Sequence, residues 1–338
     1  MQSAFLETIR RRRPSRRHLI LLGITGIVLL FGFVLLYARY FGPATPATVP
    51  ATEFIVAPDS EFETIAQELK AGGYIKSMTA FRIAYGTRGG IREIREGGYM
   101  LSPSMDAWTI AELLSRPPYL AWITFPPGWR KEQIAEYLAD KLAWTDEQKT
   151  QFIDVDTAPT FEQIEGVYFG DTYLIPSDQA PAQVAARLRD RFEEAFAPYA
   201  AETVEKNVTW TETLIMASLI EREAAKNDKH LVAGILWNRI NDGMRLQVDA
   251  TLQYIRGQEG NWWPQPRSED KDLESPFNTY KNAGLPPHPI ANPSLDSIEA
   301  ALNPEDTDCL YYLHDSEGQI HCSASYAGHR ANVDRYLR

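Results

Sequence analysis

The chain has 338 residues, 44% hydrophobic and 23% charged, an ordinary balance that excludes collagen-like, disulfide-scaffold and wholly disordered classes. Its formal net charge is -11, but residues 1–17 hold six arginines and one acid, leaving 28 basic and 44 acidic residues, a net of -16, on the rest. An acidic body of this kind repels phosphate backbones, so nucleic acid is not an expected partner.

Arg10, Arg11, Arg12, Arg13, Arg16 and Arg17 make residues 1–17 a basic tail, and Leu19 to Ala38 follows as twenty residues without one charge. As a helix that run is about 30 Å long, the thickness of a bilayer core. It predicts a transmembrane helix over 18–40. The arginines keep the N-terminus in the cytoplasm and place the body outside. A cleaved signal peptide is the other reading. Its apolar region spans about 7–15 residues and ends in small residues, whereas Tyr37, Arg39, Tyr40 and Phe41 close this run. Residues 41–52, with the Pro/Ala/Thr-rich stretch Gly42–Ala51, read as a linker.

A small motif then recurs: a Pro-led turn, then a helix with Ile-Ala and an apolar residue. Pro58 leads to Ile65, Ala66 and Leu69; Pro103 to Ile110, Ala111 and Leu114; Pro127 to Ile134, Ala135 and Leu138. Ser60 and Glu63 predict a capping box for the first helix. Glu53–Val56 and Gly98–Leu101 read as short strands leading into the first two helices. Strand, turn and helix in this pattern resemble the opening of a LysM module, a binder of glycans rich in N-acetylglucosamine. The plainer reading is that Ile-Ala-x-x-Leu is a helix core face. The Ile positions lie 45 and then 24 residues apart, too uneven for a solenoid.

From Thr209 the texture changes. Thr209 and Glu212 predict a capping box, followed by the strongly apolar helix Leu214–Ile220 and then Glu221-Arg222-Glu223. A second helix is expected from about Lys229 to Asp242, with Gly243 as its stop. Glu221 lies seven residues, or two turns, beyond Leu214, on one stripe with Leu214, Ala217 and Ser218. Desolvation on that stripe raises a carboxyl pKa, and a carboxyl that keeps its proton near neutrality can act as general acid. The structural alternative is an ion pair with Arg239 or Arg245. Glu223 points about 200° away around the helix, in another environment.

Tyr254, Trp262, Trp263 and Tyr280 suit sugar stacking or core packing equally. A short helix is expected over Leu295–Leu302. Leu310–Leu313 and Gln319–His321 read as two short strands around the turn Asp315–Gly318, and in that hairpin Cys309 and Cys322 fall close to opposite one another. In an oxidising exterior they would pair; two buried thiols is the other reading. The cysteines and His314, His321 and His329 match no standard zinc spacing, and the chain lacks P-loop, G-x-S-x-G, H-E-x-x-H and G-x-G-x-x-G motifs. No metal or cofactor is expected. Helices and short strands in mixed order predict an α+β fold.

Several segments now combine. Ala217-Ser218-Leu219-Ile220-Glu221-Arg222-Glu223, Asn238-Arg239, Met244 to Asp249, Ser275 to Tyr280 and Gly284 to Pro293 resemble, in order, the motifs of the YceG-like family of endolytic murein transglycosylases. Glu165-Gly166 with Asp171-Thr172-Tyr173 resembles a further family motif. The resemblance implies a single-pass inner-membrane protein facing the periplasm. A LysM-like subdomain would occupy 53–120 and an α+β catalytic domain 121–338. It implies cleavage of the β-1,4 bond between N-acetylmuramic acid and N-acetylglucosamine in nascent peptidoglycan strands, leaving 1,6-anhydro ends. Cell-wall synthases of the elongation or division machinery are the implied partners. The catalytic residue falls on Glu221. Gln247, Asp249, Asn278 and Tyr280 are candidates for substrate positioning or loop bracing. A glycan-binding scaffold without catalysis, or a water-using muramidase with Asp249 or Glu274 as second acid, are the alternatives. The chain departs from the family at Gly170 and His288, where Pro and Gly are usual, and at Val248 and Ala250 beside Asp249, where Thr and Pro are. Its C-terminal segment departs too, with Cys322, Ser323, Ser325, His329 and Arg330.

Overall fold

The computed structural model describes residues 16–87, 94–158, 164–225 and 227–337; Arg10–Arg13 of the basic tail lie outside them. The chain separates into two units, Met1–Leu120 and Ala121–Arg338.

The first unit opens with α1 (Arg16–Tyr40). Among the described residues it is the one helix long and apolar enough to cross a membrane. Its large apolar side chains from Ile20 to Leu36 stand exposed. Then come β1 (Thr52–Val56), α2 (Phe62–Ala71), α3 (Met78–Gly86), β2 (Gly97–Leu101) and α4 (Ala107–Leu114). β1 and β2 pair antiparallel, Thr52 opposite Leu101 through Val56 opposite Gly97. Phe54 and Val56 alternate inward onto Ile65, Leu69, Phe81, Leu101, Ile110 and Leu114, so both Ile-Ala-x-x-Leu stripes here are core faces. The Ser60–Glu63 capping box does not form. Glu61 is the residue before α2 and makes no side-chain cap, while Glu63 turns to Arg82. The expected linker is pinned, with Ser102 Oγ donating to Val49 O at 2.6 Å and Thr45 N to Pro103 O at 3.0 Å.

The second unit contains β3 (Leu120–Thr124), α5 (Lys131–Leu142), α6 (Asp146–Gln151), β4 (Thr172–Pro176), α7 (Pro181–Phe196), α8 (Ala200–Glu205), α9 (Trp210–Glu223), α10 (Lys229–Asn241), α11 (Asp249–Arg256), α12 (Leu295–Leu302), β5 (Tyr311–His314), β6 (Ile320–Ser323) and α13 (Tyr326–Tyr336). β3 neighbours β4, and β5 pairs antiparallel with β6. The fold is mixed α+β. The Thr209–Glu212 box does form: Glu212 N donates to Thr209 Oγ1 at 3.1 Å and Thr209 N to Glu212 Oε2 at 2.8 Å. α9 is buried on every side from Thr213 to Ile220, the mark of a central helix. It packs against α10, α11 and α12. Cys309 and Cys322 are joined in a disulfide at the root of the β5–β6 hairpin.

Candidate active site

Glu221 and Glu223 emerge at the C-terminal end of α9. Exposed carbonyls there disfavour a negative charge, and the two carboxyls find different remedies.

Glu221 faces the start of α12. Its Oε2 accepts from Ser294 Oγ at 2.5 Å, Ser297 Oγ at 2.6 Å, Ser294 N at 3.1 Å and Lys229 Nζ at 3.2 Å. Ser294 caps α12 and also accepts from Lys229 Nζ at 2.9 Å. The carboxylate thus sits as an anion at a helix N-terminus. Among the described residues none donates to Oε1, and the side chain keeps 14% exposure. Burial pushes this carboxyl upward. Hydrogen bonds from Ser294 and Ser297 and the Lys229 charge outweigh it, and the net pKa lies below the usual value. The expectation that desolvation keeps Glu221 protonated is therefore corrected: its surroundings include four donors contributed by α10 and α12, invisible on the α9 stripe. The ion pair is with Lys229. Arg239 instead binds Leu310 O and Leu246 O, and Arg245 binds Tyr280 O.

Glu223 lies apart. Its Oε1 accepts from Ala250 N at 3.1 Å and its Oε2 from Tyr312 Oη at 3.0 Å. Burial dominates here and raises its pKa. The four candidate positioning residues collect on this side. Tyr280 Oη donates to Asp249 Oδ1 at 2.6 Å. Asn278 is fully buried, its amide donating to Lys271 O and Leu273 O and accepting from Tyr280 N, so its side chain braces a loop. Gln247 stands exposed on a left-handed backbone, φ 52°, its N–H on Thr279 O at 3.1 Å. Among the described residues no hydrogen bond joins any of the four to Glu221. Glu274 is exposed and paired with Lys281.

The loop segment Gly284–Pro293, which carries the matched motif, packs beside the end of α9. Ser218 Oγ accepts from Ile290 N at 3.1 Å, pinning that loop to α9. Asn292, fully buried, accepts from Gly166 N and Tyr168 N and donates to Trp129 O and Glu165 Oε1. Gly128 N bonds Asn292 O at 2.7 Å. Gly128 takes φ +83°, and a Cβ there would lie 3.7 Å from Glu221 Cγ. A Cβ at Gly170 would lie 2.7 Å from Pro127 N, so Pro126-Pro127 demand the glycine in this chain. His288 packs edge-on against Phe277, ring centroids 4.6 Å apart. Lys229, Ser294 and Ser297 escape a reading of the sequence. The one available signal was Ser294-x-x-Ser297 as a helix cap.

Comparison with known proteins agrees with this architecture. The sequence profile of the YceG-like family matches residues 54–335. A Bacillus subtilis (strain 168) protein named endolytic murein transglycosylase is 30% identical over 333 residues, covering 91% of each chain. A protein of the same name from Streptococcus pneumoniae serotype 2 (strain D39) is 29% identical over 314 residues, 82% of this chain and 57% of that one. The 2.6 Å crystal structure of a yceG-like protein from Listeria monocytogenes superposes with a TM-score of 0.61 at 26% identity, covering 83% of this chain and 98% of that one.

Proposed function

The chain belongs to the YceG-like family, and from that premise we propose that it is a membrane-anchored endolytic murein transglycosylase, a lyase of peptidoglycan glycan strands. The observation that carries the reading is the Glu221 carboxyl, fixed through Oε2 at the start of α12 while Oε1 is left to meet substrate. In its protonated form Glu221 gives its proton to the glycosidic oxygen as the bond from C1 of N-acetylmuramic acid breaks. The substrate's own N-acetyl group steadies the charge at C1. The carboxylate then takes the proton of the C6 hydroxyl as that oxygen attacks C1. The 1,6-anhydro ring closes, Glu221 regains its proton and no water is consumed. One carboxyl serves both steps, unlike the paired carboxylates of glycoside hydrolases. Glycan in the site excludes water from Oε1, and desolvation of the anion favours the acid form that the first step needs.

α1 serves as the inner-membrane anchor, N-terminus in the cytoplasm and the body periplasmic. The Cys309–Cys322 disulfide fits that oxidising side. The β-α-α-β order of residues 53–120, with β1 and β2 antiparallel, supports a LysM-like subdomain there, ahead of a catalytic domain at 121–338. Cell-wall synthases of the elongation or division machinery are its proposed partners. Mass spectrometry of products from purified glycan strands tests the reading. Anhydro-muramic ends are expected, and Glu221→Gln abolishes them while keeping the fold. Reducing ends, or wild-type rates in Glu221→Gln, refute the assignment.

A further inference from the structure

A groove of about 550 Å³ opens between the start of α5 and the loop after α11, walled by Trp129, Tyr137, Trp262 and Trp263, with Gln133 and Glu136 between them. That volume falls in the range of small-ligand sites, roughly 300–1,000 Å³. The rings are fixed by their edges. Trp262 Nε1 donates to Glu136 Oε2 at 3.0 Å and Trp263 Nε1 to Gln133 Oε1 at 2.9 Å. With both indole N–H groups spent inside the protein, the groove offers flat apolar ring surface. Gln133 and Glu136 add polar side chains to the same wall, and the buried Oε1 of Glu136 has no hydrogen-bond partner among the described residues.

Arg222 and Gly128 connect the groove wall to Glu221. The Arg222 guanidinium, one residue on, lies 3.9 Å from the centre of the Trp263 ring. Its Nε meets no acceptor among the described residues. Gly128, whose Cβ position lies 3.6 Å from Arg222 Nη1 and 3.7 Å from Glu221 Cγ, leads directly into Trp129. Ring faces with polar groups set at their edges match a pyranose, which shows C–H groups on its faces and hydroxyl or acetamido groups around its rim.

We infer that the Trp129–Tyr137–Trp262–Trp263 groove is a carbohydrate subsite that seats an N-acetylhexosamine ring of the glycan beside Glu221. The inference rests on the reading of this chain as a glycan-cleaving enzyme and adds residues and a ligand class to it.

The test titrates the full-length protein in detergent micelles by calorimetry with peptide-free strands of alternating N-acetylglucosamine and N-acetylmuramic acid. Glu221→Gln serves as the background so that strands stay intact. Trp262→Ala and Trp263→Ala are expected to weaken binding about tenfold each, and Trp263→Phe, which keeps a ring, restores most of it. On the wild-type background the alanine variants raise KM about tenfold, change kcat little and still yield anhydro ends. If Trp263→Ala does not fold, Tyr137→Ala in the same groove carries the same expectation. Folded variants with unchanged affinity and unchanged KM overturn the subsite and leave the role of Glu221 standing. Tryptophan-dependent binding without anhydro products from the wild type supports the subsite and overturns the enzymatic reading. Absence of strand binding by the Glu221→Gln protein overturns the subsite.

Discussion

Replacing Ser297 with alanine removes one of the four donors on Glu221 Oε2, a hydroxyl at 2.6 Å from a fully buried serine. Alanine suits the first turn of α12 and fills no new space. A hydrogen bond to a charged group is worth about 1.5–3 kcal/mol, and one pKa unit corresponds to about 1.36 kcal/mol. The variant should therefore hold its proton to a pH higher by about one to two units. Glu221 is lowered in the native state, so its bonds stabilise the fold above the unfolded carboxyl value and cease to do so as pH falls through the folded one. Ser297→Ala should cost about 1.5–3 kcal/mol at pH 7 and little in strong acid. In the proposed mechanism catalysis moves the other way. The acid step requires the protonated carboxyl, so its rate declines as pH rises through that titration, and in the variant the decline comes later. The ratio of variant to wild-type kcat should climb with pH to about tenfold at neutrality; the weaker acid returns only part of that gain. Single-turnover formation of anhydro ends from pH 4 to 8, alongside urea unfolding at the same pH values, measures both. A ratio that stays flat, or falls with pH, refutes the argument that these donors keep the resting carboxyl ionised.

Burial and the nearby Glu132 charge push the Glu165 carboxyl up to about 8. Between the usual 4.5 and 8 the native state keeps a proton that the unfolded chain has released, so stability falls as pH rises, by at most about 1.4 kcal/mol per pH unit. Glu165→Gln removes that slope and gains on the wild type between pH 5 and 8; a pH-independent difference in urea unfolding sinks the idea. Asn292→Ala strands two buried N–H groups and should cost about 3 kcal/mol or more, read as a lower urea midpoint at unchanged slope. Cys309→Ser opens a loop with a sequence separation of 13 and should cost about 3 kcal/mol. Dithiothreitol should bring the wild-type melting midpoint down to that of the variant and leave the variant unmoved.

The sequence pattern located α1, α9, α10 and α12 within a residue or two because each is an uninterrupted apolar or capped helix whose signal is local. The hairpin was equally legible from its turn. The Ser60–Glu63 box failed because the same letters can serve a cap or a surface ion pair, and Arg82, nineteen residues on, took Glu63. Asn278 stood out by motif, yet its part in bracing a loop appeared only once its carbonyl partners were in place.

An amino-acid string of this kind settles an apolar span, an acidic body, a mixed set of elements and a glutamate placed at the end of a greasy helix, since all of these follow from neighbours in the chain. The charge state of that glutamate does not follow. Ser294 and Ser297 lie more than seventy residues away from it, and only folding brings the start of α12 and Lys229 against the end of α9. The tertiary structure thus turned an expected resting acid into a resting carboxylate, because electrostatics at a buried atom is summed over every group in space and not along the chain.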